Sequence, residues 1–276
     1  MMENASNSAP TAVPMFDAFG DESCGADYIS YALVILDERK RSDAEKIVGD
    51  VKVAAGFDSN DLLHCREIFN PAARAKSAWS RLSVNDVFQL YENLFTRLSP
   101  VTPRYLLTLA RRADFPTQLP ALAMQHIDPN ANVPPKYTKA LEYGEKQIAL
   151  HCAQGVTIPL SKHPGLDRIR IWPDPDNSKI EWFSGRRGAA NEIGNFFVDV
   201  GPGQEPPKPT IMRYTGPKPP LLQVADAIAF VGQRSKRNDK STNAVRFRSL
   251  LRLINPEQIT RRSSSPTARS RPSWPR

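Results

Sequence analysis

The nine residues Tyr28 to Leu36, reading YISYALVIL, constrain this chain more than any other stretch. A strand with one wet face alternates apolar and polar residues. This run is almost wholly apolar and rich in β-branched and aromatic residues, so it calls for a strand covered on both faces. Phe16 to Glu22 reads as a strand before it, and Ser23-Cys24-Gly25-Ala26-Asp27 is short enough to join the two as a hairpin. Arg41 to Ala55 carries Ala44, Ile47, Val48, Val51 and Ala55 at helical spacing, with Ser42 and Glu45 placed for a capping box. Leu62 to Phe69 fits no single template. Ser83 caps a helix running to Leu98, with Val87, Leu90, Tyr91, Leu94, Phe95 and Leu98 as its apolar stripe.

The second half repeats the alternation. Arg104 to Leu109 and Arg168 to Trp172 read as strands, the latter stopped by Pro173. Between them Pro134 to Gln154 predicts a long helix, with Gly155 just past its end. Gly201 to Pro220 holds seven prolines and reads as loop, with room for a short strand at Thr210 to Tyr214. Leu221 to Gly232 is an apolar helix, and Ala244 to Ile254 a short basic one. Strands and helices in this order predict an α/β fold with a mixed sheet and flanking helices. The expected domain spans 15–234, between a disordered lead-in at 1–14 and a basic low-complexity tail at 235–276 that ends in disorder.

The formal charge of +8 divides unevenly. From Gln233 to Arg276 there are twelve Lys or Arg and two acids, whereas the rest carries 25 basic and 27 acidic side chains. The expected domain is thus slightly acidic, and its fold is not itself a basic nucleic-acid platform. No run approaches the roughly 18 apolar residues of a membrane helix, and Met1 to Pro14 has no apolar signal core. Cys24, Cys65 and Cys152 form no CxxC pair, so neither a disulfide framework nor a zinc site is written here. A reducing cytoplasmic setting, without membrane contact, is the expectation. The GxxxxGK, HExxH, GxSxG and GxGxxG patterns are all absent. Gly201-Pro202-Gly203 is too short to cradle a phosphate, and Arg186-Arg187 suits a phosphate contact or a solvated turn equally well.

Chemistry is concentrated in acids set among apolar residues. Asp21-Glu22-Ser23 ends the first strand. Asp226 lies inside LLQVADAIAFVG, where Gln223, Asp226 and Gln233 fall within about 80° on the helix and leave one narrow polar stripe. A carboxylate there is costly unless paired, hydrogen-bonded or metal-bound; the plainer reading is a helix with a thin wet face. Asp174 and Asp176 follow a strand end, where ligands gather in α/β sheets, although Asp-Pro-Asp-Asn is also ordinary turn chemistry. His64 and Glu67, three apart, could bind metal or act as acid and base, or form an ordinary surface pair.

Asp-Glu-Ser at 21–23, followed by an apolar strand, and Pro-x-Leu-Gln-x-Ala-Asp-x-Ile-Ala at 220–229 together resemble the bacterial and phage family called domain of unknown function 3800. Tyr137-Thr-Lys-Ala140-Leu141, the strand from Arg168 to Asp174, and His64 with Glu67 resemble further segments of its pattern. The chain departs from it at Cys24, where a Gly is common, and in having two aspartates at the middle position. The resemblance spans roughly residues 16–232 and implies an RNase H-like fold, whose first strand and last helix bring carboxylates to one strand-end cluster. Carboxylates so close cannot all stay ionised without a cation, which implies Mg²⁺ or Mn²⁺. Two such ions about 4 Å apart could generate hydroxide and stabilise the leaving oxygen in phosphodiester cleavage.

The resemblance implies Asp21 as bridging ligand, Asp226 as ligand to one ion and Asp174 as third acid, with Asp176 as its rival. Glu22 would be a further ligand or stand behind the ligands. Glu67 would be a fourth, and Ser23 would hold a carboxylate by a hydrogen bond. The expected activity is a metal-dependent nuclease acting on RNA or DNA, in phage defence or as a toxin-like element. Two alternatives stand beside it: a catalytically inactive nucleic-acid or partner-binding protein on the same fold, and a hydrolase of small phosphoesters. The basic tail would add polyanion binding through counterion release, or serve only as a solubilising extension.

Overall fold

Two strands at the centre of the sheet bury both faces, as the apolar run requires. The computed structural model describes residues 15–101, 103–114, 148–149, 152–153, 155–156, 168–174, 210–236 and 241–260. β1 (Phe16–Cys24) and β2 (Tyr28–Asp37) form an antiparallel hairpin, in register from Phe16 opposite Asp37 to Cys24 opposite Ile29. On β2, Ile29, Tyr31, Leu33 and Ile35 enter one apolar core, and Ala32, Val34 and Leu36 enter the other.

A 3₁₀ turn, Glu38–Lys40, capped by the Asp37 carboxylate on the Arg39 N–H, runs directly into α1 (Arg41–Ala54). The expected Ser42 capping box is therefore not formed. Ser42 is already helical, Lys40 stands at the cap, and Arg41 pairs instead with Glu45 at 2.8 Å. The ambiguous segment Leu62 to Phe69 supplies one single-turn helix, α2 (Cys65–Ile68), and a second, α3 (Pro71–Arg74), follows it. α4 (Val84–Leu98) is capped by Ser83, whose partner in a true capping box is Asp86.

β3 (Arg104–Arg111) pairs antiparallel with β2, whereas β4 (Ile169–Pro173) pairs parallel with β1. A short β5 (Thr210–Ile211) continues the parallel side. With β6 (Glu257–Thr260), the described strands form one mixed sheet, ordered β5-β4-β1-β2-β3-β6. α5 (Pro220–Ser235) lies across β1 and β2. With α1, α4 and α6 (Thr242–Ile254) it encloses the larger core. The opposite face is covered by helical residues 148–149, 152–153 and 155–156, of which Ile148, Ala149, Cys152, Ala153 and Val156 are buried. Gly155 belongs to this helix rather than lying past its end. A Cβ there would sit 2.5 Å from Thr108 Oγ1 on β3, so glycine is what lets helix and sheet approach so closely.

The domain does not stop at 234 as expected. Phe247, Leu250, Leu251 and Ile254 of α6 are buried in the larger core, and β6 (Glu257–Thr260) pairs parallel with β3. The basic side chains of α6 fall on its other face, which is why the segment reads as a tail in sequence. The lead-in at 1–14, the Pro-rich residues 201–209, Tyr137 to Leu141, Arg186-Arg187 and the end of the chain from 261 lie outside the described residues. Among the described residues no helix is long and apolar enough to cross a membrane.

Asp17 fixes β4 beside β1. Its wholly buried carboxylate accepts from Arg170 Nε at 2.7 Å, Arg170 Nη2 at 2.9 Å and Trp172 Nε1 at 2.9 Å. That pairing accounts for the basic and apolar alternation of the strand and sets the register that carries its far end to Asp21.

Candidate functional site

β1 and β4 run parallel, and both end at the same pocket. Side chains alternate along β1, so Phe19 enters the core beneath α5 and Asp21 follows on the same face. The Asp174 N–H donates to the Gly20 carbonyl at 3.2 Å, which places Asp174 beside Asp21 just past the end of β4. Asp226 arrives from α5. Asp21, Asp174 and Asp226 all line one pocket of about 480 Å³, together with Glu22, His64, Arg66, Lys218 and Arg234. Asp21 is 4% and Asp226 5% exposed.

The polar stripe on α5 is not a thin wet face. Gln223, Asp226 and Gln233 are each 5% exposed or less, and each is hydrogen-bonded. Gln223 accepts from the Leu63 N–H at 2.9 Å and donates to the Lys218 carbonyl at 2.9 Å. Asp226 Oδ2 accepts from the Cys65 N–H at 2.8 Å. Gln233 donates to Ser23 Oγ, so Ser23 serves the helix rather than a carboxylate as expected. Through these bonds one helix face holds β1, the segment before α2 and the loop before itself.

That loop delivers the residue sequence reasoning missed. Lys218 stands between Pro217 and Pro219, which restrict its backbone to extended conformations, and Gly216 before them takes a φ of +110° that other residues rarely adopt. Lys218 Nζ reaches Asp21 Oδ2 at 2.5 Å and Asp174 Oδ2 at 3.0 Å. Burial alone would lower its pKa, but Asp21, Asp174 and Asp226 hold it charged, above the ordinary lysine value. The only sequence signal was a cation trapped between prolines shortly before the acid-bearing helix.

Three carboxylates crowd around this lysine. Burial pushes the Asp226 carboxyl up to about 7, with Asp21 adding to the rise, against the opposing pull of Lys218 and the Cys65 N–H. The cluster therefore favours an added positive charge, a proton or a cation, and its donors are hard oxygens of the kind Mg²⁺ and Mn²⁺ take. Among the described residues, no three His, Cys, Asp or Glu side chains are arranged to hold a metal ion as they stand.

The remaining candidates separate. Glu22 lines the pocket, but β1 alternation turns it to the opposite face from Asp21, opposite Tyr31 in the hairpin register. His64 is not on a helix with Glu67. It precedes the single turn of α2 with extended φ and ψ of −108° and 108°, and its side chain lines the pocket. Burial and Lys218 lower its pKa, while Asp21 and Glu67 oppose them. Glu67 is half-buried on α2 and is not among the residues lining the pocket. Asp176 lies outside the described residues. No family model matches the chain, and no curated protein matches it.

Proposed function

We propose that this chain is a metal-dependent nuclease or phosphodiester hydrolase built on an RNase H-like fold. The observation that carries the reading is the meeting of Asp21, Asp174 and Asp226 from the first strand, the end of its parallel neighbour β4 and the helix α5. The sheet supports it: an antiparallel β1-β2-β3 meander is continued beyond β1 by parallel β4 and β5. The resemblance to the domain of unknown function 3800 family predicts the same acids at the same elements. Asp21, Asp174 and Asp226 would hold the divalent ion, which supplies charge stabilisation and an activated water when bound. Gln223 fixes the two segments that flank the acids. Lys218 must release at least one carboxylate for an ion to enter, and it then remains within reach of an incoming phosphate. Glu67 has the weakest claim to ligation.

The lysine also favours a second reading, in which Lys218 has replaced the metal and the fold binds nucleic acid without cutting it. One set of measurements separates the two. Purified protein is incubated with single- and double-stranded RNA and DNA in Mn²⁺, Mg²⁺ or EDTA, beside Asp21→Asn and Asp226→Asn. The nuclease reading expects metal-dependent cleavage reduced at least 100-fold in either variant, and cleavage unchanged in Asp226→Asn rejects it. Calorimetry with Mn²⁺ addresses the lysine. Binding seen only in Lys218→Met supports the second reading. A panel of small phosphoesters tests for a substrate other than a polymer.

A further inference from the structure

Beside the acidic pocket lies a second cavity, of about 400 Å³, between α2, α4, α5 and α6. Its apolar wall is Phe69, Phe88, Phe230 and Phe247. Phe69, only half-buried, lies nearly parallel to Phe230, with ring centres 5.2 Å apart and planes at 17°. Guanidinium groups stand at the edges: Arg234 lies 5.0 Å over the Phe230 ring and Arg246 4.1 Å over Phe88. Exposed Asn70, Ser241 and Asn243 form the rim, and among the described residues no acid lines the cavity. Arg66, Phe230 and Arg234 line both this cavity and the acidic pocket.

We propose that this cavity receives an unstacked base of a single-stranded nucleic acid, with Arg66 and Arg234 taking the phosphate that leads from it toward Asp21, Asp174 and Asp226. The proposal rests on the reading that the acidic pocket faces a phosphodiester. Its warrant is complementarity. A flat aromatic wall suits the face of any base, flanking guanidinium groups suit the backbone, and amides at the rim suit base edges. A base stacked within a duplex cannot enter such a recess without being flipped out, so the preferred ligand is single-stranded. Arg246 of α6, over the Phe88 ring, then belongs to a binding surface on the folded domain.

The test measures binding alone, in EDTA, so that it stands apart from cleavage. A labelled 12-nucleotide single strand, RNA and DNA in turn, and its duplex are titrated with full-length protein by fluorescence anisotropy. The single strand is expected to bind at least tenfold tighter than the duplex. Asn243→Glu places a charge at the exposed rim without touching the core, and is expected to weaken binding about tenfold. Phe69→Ala is expected to weaken it by roughly 5- to 100-fold, and Phe69→Trp to restore most of the loss. Melting curves on each variant identify any that fail to fold, and Asn243→Glu keeps the test valid if Phe69→Ala does. Equal binding of strand and duplex, or an affinity within twofold of wild type in folded Asn243→Glu, overturns the proposal. Competition by a free mononucleotide as effective as the oligonucleotide would also overturn it, by assigning the cavity to nucleotides. Loss of cleavage in the aspartate variants with these outcomes intact would leave both readings standing. Binding that obeys them in a protein that never cleaves would retain the cavity and reject the nuclease.

Discussion

Lys52 carries its ammonium into the fold. The residue is 1% exposed, and its Nζ donates to the Ser59 carbonyl at 3.0 Å. Burial lowers its pKa to about 8 from the ordinary 10.5, against the pull of Asp61 and Asp58. Below about pH 8 folded and unfolded chains both carry the charge, and the folded state bears the cost of burying it. Between the two values the unfolded chain keeps a proton that the folded chain has lost. Stability should therefore rise with pH across that window, by about 1–3 kcal/mol from this group. Lys52→Met should abolish the rise and increase Tm at neutral pH. Thermal melts of both proteins at about pH 7, 8.5 and 10 check this, and a methionine variant that melts lower at pH 7 contradicts it. Acids and lysines differ in how openly a sequence declares them. Asp21 and Asp226 were legible because each interrupts an apolar stretch, where a charge must have a reason. Lys218 and Asp17 were not, because one stands in a proline-rich loop and the other reads as an ordinary strand residue. Their roles come from neighbours 44 and 153 positions away along the chain.

At the scale of elements, periodicity and burial agreed wherever a segment was long. β1, β2, α1, α4 and α5 begin and end within a few residues of the positions their patterns predict. Errors fell where a glycine or a cap has two physical uses. Gly155 at the end of an apolar pattern suggests a C-cap, yet it serves close approach to Thr108, which no local pattern reveals. Gly155→Ala should destabilise the fold by about 1–3 kcal/mol, because Thr108 is β-branched and boxed into the sheet. Adding Thr108→Ala removes the two atoms nearest the new methyl and should recover part of the loss. Denaturant titrations of the two single variants and the double give the coupling directly; strictly additive losses would mean that helix and strand do not meet there. α6 was expected as a short basic helix, but its packing was missed, because its arginines make a helix packed on the core look like a solvated extension.

The whole molecule is closed from its C-terminal side. Burying Phe247, Leu250, Leu251 and Ile254 stabilises the fold by about 1.5–3 kcal/mol each. Together that rivals the roughly 5–15 kcal/mol by which domains are stable at all. A chain ending at Lys236 should lose its cooperative melting transition and expose the Phe69–Phe230 cluster, a change readable by dye binding and calorimetry. A sharp transition within about 5 °C of the intact protein would show that α6 is dispensable. Polyanion binding by the terminal residues is therefore to be tested by truncation after Thr260, not at the boundary the charge pattern suggested. The order of assembly has a further consequence. Asp21 is made first, Asp174 much later, and Lys218 and Asp226 later still, so the three acids cannot meet on a growing chain until α5 has left the ribosome. Until then the nascent polypeptide carries some ingredients of the pocket without the pocket itself. Whatever chemistry the pocket performs is therefore withheld from a growing chain until α5 has emerged and folded back onto β1.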